Sequence, residues 1–293
     1  DDIEQVVGTI MVDVHRHGAT KTPIALPEPV GDNPSEAEFY AVLKRDLEIC
    51  GWFDVINPDA YIESATAGLR PGSFQFEDWE VPGAIGLAKT SLQGGGGDLR
   101  TEVWVYDVPG RRKLGARAFS SGAGAARTLA HKVANEIIHT LTGTDGPFNT
   151  RFAAAGSFSG NKEIYVLDFD GANRTRVTQN GTINIQPDWD SGGSRVAFTS
   201  YMSGNPDVYV ADLGRGVINR VSARPGLNTG PAWHPSGDRL AVTLSRNGDP
   251  DIFALDSKTG ASLGQLTDAP GIDTSASFSA AGDRIAFVSE RSG

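Results

Sequence analysis

Ile164-Tyr-Val-Leu-Asp168, Val208-Tyr-Val-Ala-Asp212 and Ile252-Phe-Ala-Leu-Asp256 start 44 residues apart in a chain of 293. The same frame surrounds each of them. Pro187-Asp-Trp189 is followed 44 residues on by Pro231-Ala-Trp233, and 45 later by Ala276-Ser-Phe278. Arg151-Phe-Ala, Arg195-Val-Ala, Arg239-Leu-Ala and Arg284-Ile-Ala recur with them, and Ser236-Gly-Asp and Asn247-Gly-Asp supply turns. Several short apolar runs within a period of about 40–45 residues mark the blade of a β-propeller. One four-stranded blade cannot bury both faces, so its aromatic and β-branched residues must stack on the next. Three copies can be counted, plus a flanking strand at Arg151–Ala155. The chain stops at Gly293, where Gly204 and Gly248 fall in their own copies. Another Ile-Tyr-type strand is due there, so the propeller reads as interrupted, with an open apolar blade face.

Upstream of residue 150 the pattern changes to mixed helix and strand. Met11–Val14 and Pro23–Leu26 read as strands. Ser35, with Glu38 three residues later, is the predicted capping box of a helix. Its stripe is Phe39, Val42, Leu43, Leu47 and Cys50, and Gly51 stops it. The place of Cys50 on that stripe predicts burial. Strands are predicted near Ala84–Leu92, Thr101–Val108 and Leu114–Phe119, with Val103 and Val105 alternating with Trp104 and Tyr106, so that both faces would be covered. A second helix is predicted over Ala126–Thr142, with Leu129, Val133, Ile137 and Leu141 as its stripe and Gly143 as its end. The predicted class is α+β: a mixed α/β domain over residues 1–146 including an N-terminal arm, a linker at Gly143–Asn149, and a β-propeller over 147–293.

The formal charge of −10 argues against a general nucleic-acid binder, which needs a basic face. No apolar run approaches a membrane span. Cys50 is alone, so no intrachain disulfide and no paired-cysteine metal motif is expected. The opening Asp1-Asp-Ile-Glu-Gln-Val-Val7 lacks the basic and apolar regions of a signal peptide, which fits either a chain without one or a processed start.

Catalytic patterns are thin. In Gly156-Ser-Phe-Ser-Gly160, Phe158 stands where a nucleophile elbow needs its serine. His15-Arg-His17 is read as an exposed loop, and His131 and His139 as helix surface. Gly94–Gly97 reads as a hairpin. Gly122-Ala-Gly124 precedes a helix, but Arg127 replaces the small residue of the dinucleotide fingerprint. Asp168-Phe-Asp170-Gly171 lacks the closing acid of a calcium loop and reads as a turn. No catalytic residue, cofactor or metal ligand is assigned, and a cation in the propeller channel is left open.

These segments resemble a known family. The Asp-Gly turns, the Ile-Tyr-Val strands and the Pro-x-Trp-x-Pro-x-Gly-x-Arg-Ile-Ala-Phe segments are similar to the WD40-like propeller repeats of TolB proteins. Pro23-Ile-Ala-Leu-Pro27 resembles the family's early strand. Arg45-Asp-Leu-Glu-Ile-Cys-Gly-Trp-Phe-Asp-Val-Ile56 resembles its first helix end, and Leu141-Thr-Gly-Thr-Asp-Gly-Pro-Phe-Asn-Thr-Arg-Phe-Ala153 its linker into the blades. The matches cover nearly the whole chain in order. The resemblance implies a six-bladed propeller, of which about three blades are visible here. It implies a non-enzymatic periplasmic scaffold of the Tol–Pal system that maintains the outer envelope and its constriction at division, and that some colicins exploit. It also implies binding of the lipoprotein Pal through one propeller face and of TolA through the N-terminus. The Pal contacts would come from loops before each Pro-x-Trp segment: Asn184, Ile185 and Gln186; Leu227, Asn228, Thr229 and Gly230; Asp273, Thr274 and Ser275. By residue type alone, such loops simply make turns. The TolA arm would be Asp1, Asp2, Ile3, Glu4, Gln5, Val6 and Val7, ending at Gly8, with a frayed terminus as the alternative. His234 stands where the family often has Ser, as a turn residue. Two other readings stand beside this one. A secreted hydrolase or lyase would need a catalytic domain or convergent His and acid residues. A generic propeller module would bind carbohydrate or an unrelated protein.

Overall fold

The computed structural model describes residues 21–63, 67–95, 98–122, 124–245 and 248–291. The arm at Asp1–Gly8, the expected strand at Met11–Val14 and the His15-Arg-His17 segment lie outside those residues. The chain divides into two compact units, residues 1–148 and 149–293.

The first unit opens with β1 (Thr22–Ala25), β2 (Val30–Gly31), α1 (Glu36–Ile49) and β3 (Phe53–Val55). The one-turn helix α2 (Glu77–Glu80), the long strands β4 (Gly86–Gly95), β5 (Asp98–Asp107) and β6 (Arg112–Gly122), and α3 (Ala126–Thr142) follow. They form one sheet in the order β3-β1-β4-β5-β6, with β2 beside β4. β1 runs parallel to β3 and β4, and β4, β5 and β6 form an antiparallel meander. α1 and α3 pack on each other, and α3 lies along β5 and β6. Val103, Val105 and Tyr106 are all buried, as expected for a strand covered on both faces. Tyr106 belongs to an aromatic cluster with Phe74 and Trp79, against which Trp104 packs.

Two helix details depart from expectation. Ser35 makes no capping bond. Asn33 caps instead: its Oδ1 accepts the Ser35 N–H and its own N–H donates to Glu36 Oε1, both at 2.9 Å. The reciprocal box therefore lies two residues earlier, because Pro34 has its φ preset and starts the turn. Cys50 is the C-cap and only half-buried, with its Sγ donating to Leu47 O. The second helix spans Ala126–Thr142 as predicted and ends on Gly143 at φ +74°.

The second unit is all strand. β7 (Arg151–Gly156), β8 (Glu163–Asp168) and the short β9 (Thr175–Arg176) make a three-stranded sheet. β10 (Asn184–Trp189), β11 (Arg195–Ser200), β12 (Asp207–Asp212) and β13 (Val217–Ser222) make the next. β14 (Asn228–Trp233), β15 (Arg239–Leu244), β16 (Asp251–Asp256) and β17 (Ser262–Gln265) repeat it, and β18 (Asp273–Phe278) pairs with β19 (Ile285–Ser289). The repeated Ile-Tyr-Val runs are thus third strands, the Pro-x-Trp segments first strands and the Arg-x-Ala segments second strands.

Alternation along the third strand builds the stack. Val208 and Val210 join Trp233, Leu240 and Phe253 in one cluster, toward the following sheet. Tyr209 and Ala211 point the other way, into a cluster with Ile164 and Val166 of the preceding sheet. Ile252 likewise faces Phe278 and Phe287 of the last sheet, while Phe253 and Leu255 face back. No blade owns a core; each core is shared by two.

Candidate partner-binding site

The first strands β10, β14 and β18 approach one another far more closely than the fourth strands approach each other. The first strands therefore line the inside of the stack. Each carries a register shift at the same place, between Ile185 and Asp188, Thr229 and Ala232, and Thr274 and Ser277. At that bulge the backbone turns left-handed: Gln186 at φ +53°, Gly230 at +60° and Ser275 at +57°. Glycine adopts this freely, but Gln186 and Ser275 do so at a cost. A polar groove of about 380 Å³ runs across the bulges, lined by residues 186–189, 230–233 and 275–278.

All the expected loop residues but Leu227 are therefore strand residues, and they divide by role. Asn184, Asn228 and Asp273 are buried and engaged. Asn184 Nδ2 donates to Glu163 Oε2 and Lys162 O, both at 3.0 Å. Asn228 Oδ1 accepts from Ser222 Oγ and the Arg224 N–H, and Asp273 Oδ2 receives Arg291 Nη2 at 2.8 Å. These three pin the start of each first strand and are closed to a partner. Ile185, Thr229 and Thr274 are half-buried, and Leu227, Gln186 and Ser275 are exposed. Gln186 Oε1 bridges the sheets, accepting from Thr199 Oγ1, Thr229 Oγ1 and the Gly230 N–H at 3.1, 2.6 and 3.1 Å. The TolA-arm residues Asp1, Asp2, Ile3, Glu4, Gln5, Val6 and Val7 lie outside the described residues.

Asp188 was missed by motif reading. It lines the groove and accepts the Trp233 N–H at 2.6 Å. Burial pushes its carboxyl above the ordinary value, opposed by the N–H groups of Trp233 and Trp189. The available signal was its singularity: Ala232 and Ser277 occupy its place in the other copies.

Arginines behind the groove hold the sheets together. Arg195 Nη2 donates to Gly237 O at 2.8 Å, and its guanidinium stacks 4.3 Å from the Trp233 ring centre. Arg151 repeats this with Gly193 O at 2.8 Å and with Trp189 at 5.0 Å. In the third copy Phe278 replaces the tryptophan and His234 takes over. Its Nε2 lies 3.1 Å from Gly282 O and its ring meets Phe278 edge-on at 5.0 Å. His234 is thus a joint between sheets and more than a turn residue.

Other motif readings also resolve. His131 is buried and its Nδ1 lies 2.7 Å from Asp46 Oδ2, so it ties α3 to α1 and is not helix surface. The reading failed because its partner is 85 residues away. Phe158 is exposed in a turn with Arg174 over its ring. Asp168 and Asp170 bond within their own hairpin, to Asn173 Nδ2 and the Ala172 N–H.

Known proteins match this arrangement. Residues 138–293 match the model of the TolB beta propeller domain, and residues 10–114 that of the TolB amino-terminal domain. The chain belongs to the TolB family. The Tol-Pal system protein TolB of Syntrophotalea carbinolica is 38% identical over 161 residues, covering 55% of this chain and 37% of that protein. Its counterpart in Geobacter sulfurreducens is 34% identical over 190 residues, covering 62% and 44%. The chain thus spans roughly two fifths of the length of these TolB relatives. The crystal structure of TolB from Acinetobacter baumannii superposes with a TM-score of 0.80 at 24% identity, over 93% of this chain and 67% of that one, which shows the shared fold. Among the described residues, no helix is long and apolar enough to cross a membrane.

Proposed function

We propose that this TolB-family chain is a non-enzymatic scaffold of the Tol–Pal system. It works in the periplasm, where it helps maintain the outer membrane and its constriction at division. Its partner Pal docks on the groove across β10, β14 and β18, and its N-terminal arm, Asp1–Gly8, engages TolA. The observation that carries the reading is the row of bulged inner strands. Gln186, Gly230 and Ser275 turn left-handed at one repeated level, and Gln186 and Ser275 are exposed and strained there, where a scaffold concentrates a recognition surface. Family membership supplies the class of partner.

The test is a calorimetric titration with the periplasmic domain of a cognate Pal. Saturable one-to-one binding is expected, weakened by Leu227→Glu and Thr229→Arg. Silence from both this chain and a six-bladed relative containing it would overturn the reading. For the arm, deletion of Asp1–Gly8 should lower TolA affinity; unchanged affinity would remove the arm from the account.

A further inference from the structure

Among the described residues β6 is the longest strand, eleven residues, and it ends its sheet. Beyond its ladder with β5, none of its backbone groups is bonded to any described residue. Eight of its eleven residues are exposed. An edge of this length, about 36 Å, that no described residue pairs offers a row of N–H and C=O groups that another strand can use.

The charge on this edge runs against the rest of the chain. From Val108 to Asn135 there is no Asp or Glu, while Arg111, Arg112, Lys113, Arg117, Arg127 and Lys132 fall there, in a protein of net −10. Three of these project from β6 itself. Arg112 meets Asp107 at 3.0 Å and Arg117 meets Glu136 at 2.8 Å, in pairs with the arginine more than half exposed. Such pairs exchange partners at little cost. Lys113 has its Nζ 5.1 Å from the ring centre of Trp104, whose ring also lies 5.6 Å from the Arg70 guanidinium. Apart from Leu114 and Phe119, the other residues along the edge are small: Gly115, Ala116, Ala118, Ser120, Ser121 and Gly122. They leave the backbone open to approach.

We infer that the free edge of β6 takes an extended acidic polypeptide segment as an added strand. Backbone pairing supplies affinity, and Arg112, Lys113 and Arg117 select carboxylates on the incoming chain. A second copy of this edge is a poorer occupant, because it would bring its own Arg112, Lys113 and Arg117 and no carboxylate to the strand. An anionic membrane surface would use the cations but leave the backbone row unused. The inference is independent of the groove at the inner strands.

The probe is a fluorescent ten-residue peptide alternating glutamate and threonine. Its binding to the full chain is read by anisotropy and by amide hydrogen exchange. We expect slowed exchange confined to the 112–122 strand, and affinity about tenfold weaker in R112E/K113E/R117E. The milder R112Q/R117Q variant, checked for native circular dichroism, should fall between. The same peptide N-methylated at alternate residues keeps its charge but cannot pair, and should not protect the strand. Equal binding by the N-methylated peptide, equal protection by phosphatidylglycerol vesicles, or no protection by the parent peptide would each overturn the proposal. In the last case the charges only guard the edge against self-association.

Discussion

Arg195 and Arg239 occupy the same position in consecutive repeats, yet the structure gives them unequal work. Arg195 donates to Gly237 O at 2.8 Å, meets Asp190 at 3.0 Å and stacks on Trp233 at 4.3 Å. Its side chain is 23% exposed and that of Asp190 5%. A charge-assisted hydrogen bond contributes about 1.5–3 kcal/mol, and a partly desolvated cation–π contact about 1–2 kcal/mol. These groups share one guanidinium and do not add fully, so Arg195→Ala should cost about 3 kcal/mol. Among the described residues Arg239 reaches only Asp238, with side chains 45% and 61% exposed, while His234 makes the next joint. Arg239→Ala should cost less than about 1 kcal/mol. The assay is urea unfolding followed by tryptophan fluorescence and far-ultraviolet circular dichroism. At a slope of about 2 kcal/mol per molar, Arg195→Ala should lower the midpoint by about 1.5 M, while Arg239→Ala barely moves it. Acid gives a second readout. Burial raises the Asp190 carboxyl, but the N–H groups of Arg195 and Ser194 and the Arg195 guanidinium outweigh it and hold the value below the ordinary 3.8. Its stabilisation is therefore present above that unfolded value and lost as pH falls through the lower folded one. The gap between wild type and Arg195→Ala should narrow at that end. Equal losses from the two substitutions would refute the account of the joints.

Three further outcomes are expected. Asp188 has a raised carboxyl pKa, so its ionised form costs stability above the folded value, and the cost fades as pH falls through it. Asp188→Asn keeps an acceptor for the Trp233 N–H, so it should melt higher than wild type at neutral pH and lose that advantage in acid; a lower melting point at pH 7 would contradict this. His131→Ala takes one partner from the buried Asp46 and should cost about 3 kcal/mol in denaturant unfolding, with a loss under 1 kcal/mol marking the residue as mere surface. Lys89 is 2% exposed, 4.7 Å from the Phe74 ring centre, and bonded to Glu63; burial pulls its ammonium pKa down. Glu63→Ala should therefore cost about 3 kcal/mol, whereas the double change Lys89→Met with Glu63→Gln should recover most of it, and failure to recover would show that the pair itself is needed.

Much of the fold was legible in short-range pattern. The 44-residue spacing located the strands, and alternation in Val208-Tyr-Val-Ala told which residues face which neighbour. The four-residue stripe and Gly143 bounded α3 because helix periodicity and a left-handed cap are properties of adjacent residues. The site was less legible. Asn184, Asn228 and Asp273 have the composition of a loop, and only their burial shows them pinned to Lys162 and Glu163, Ser222 and Arg224, and Arg291.

The sequence by itself determined a repeating all-strand unit, a helix-and-strand unit before it and the family to which both belong, since these follow from local spacing and residue type. Tertiary structure alone decided which equivalent residues do different work. Arg195 reaches Gly237 across 42 residues, His234 reaches Gly282 across 48, and His131 finds Asp46 across 85. No local pattern encodes such partners. They are set when blades and helices pack, because only then does a buried charge or donor meet the group that must satisfy it.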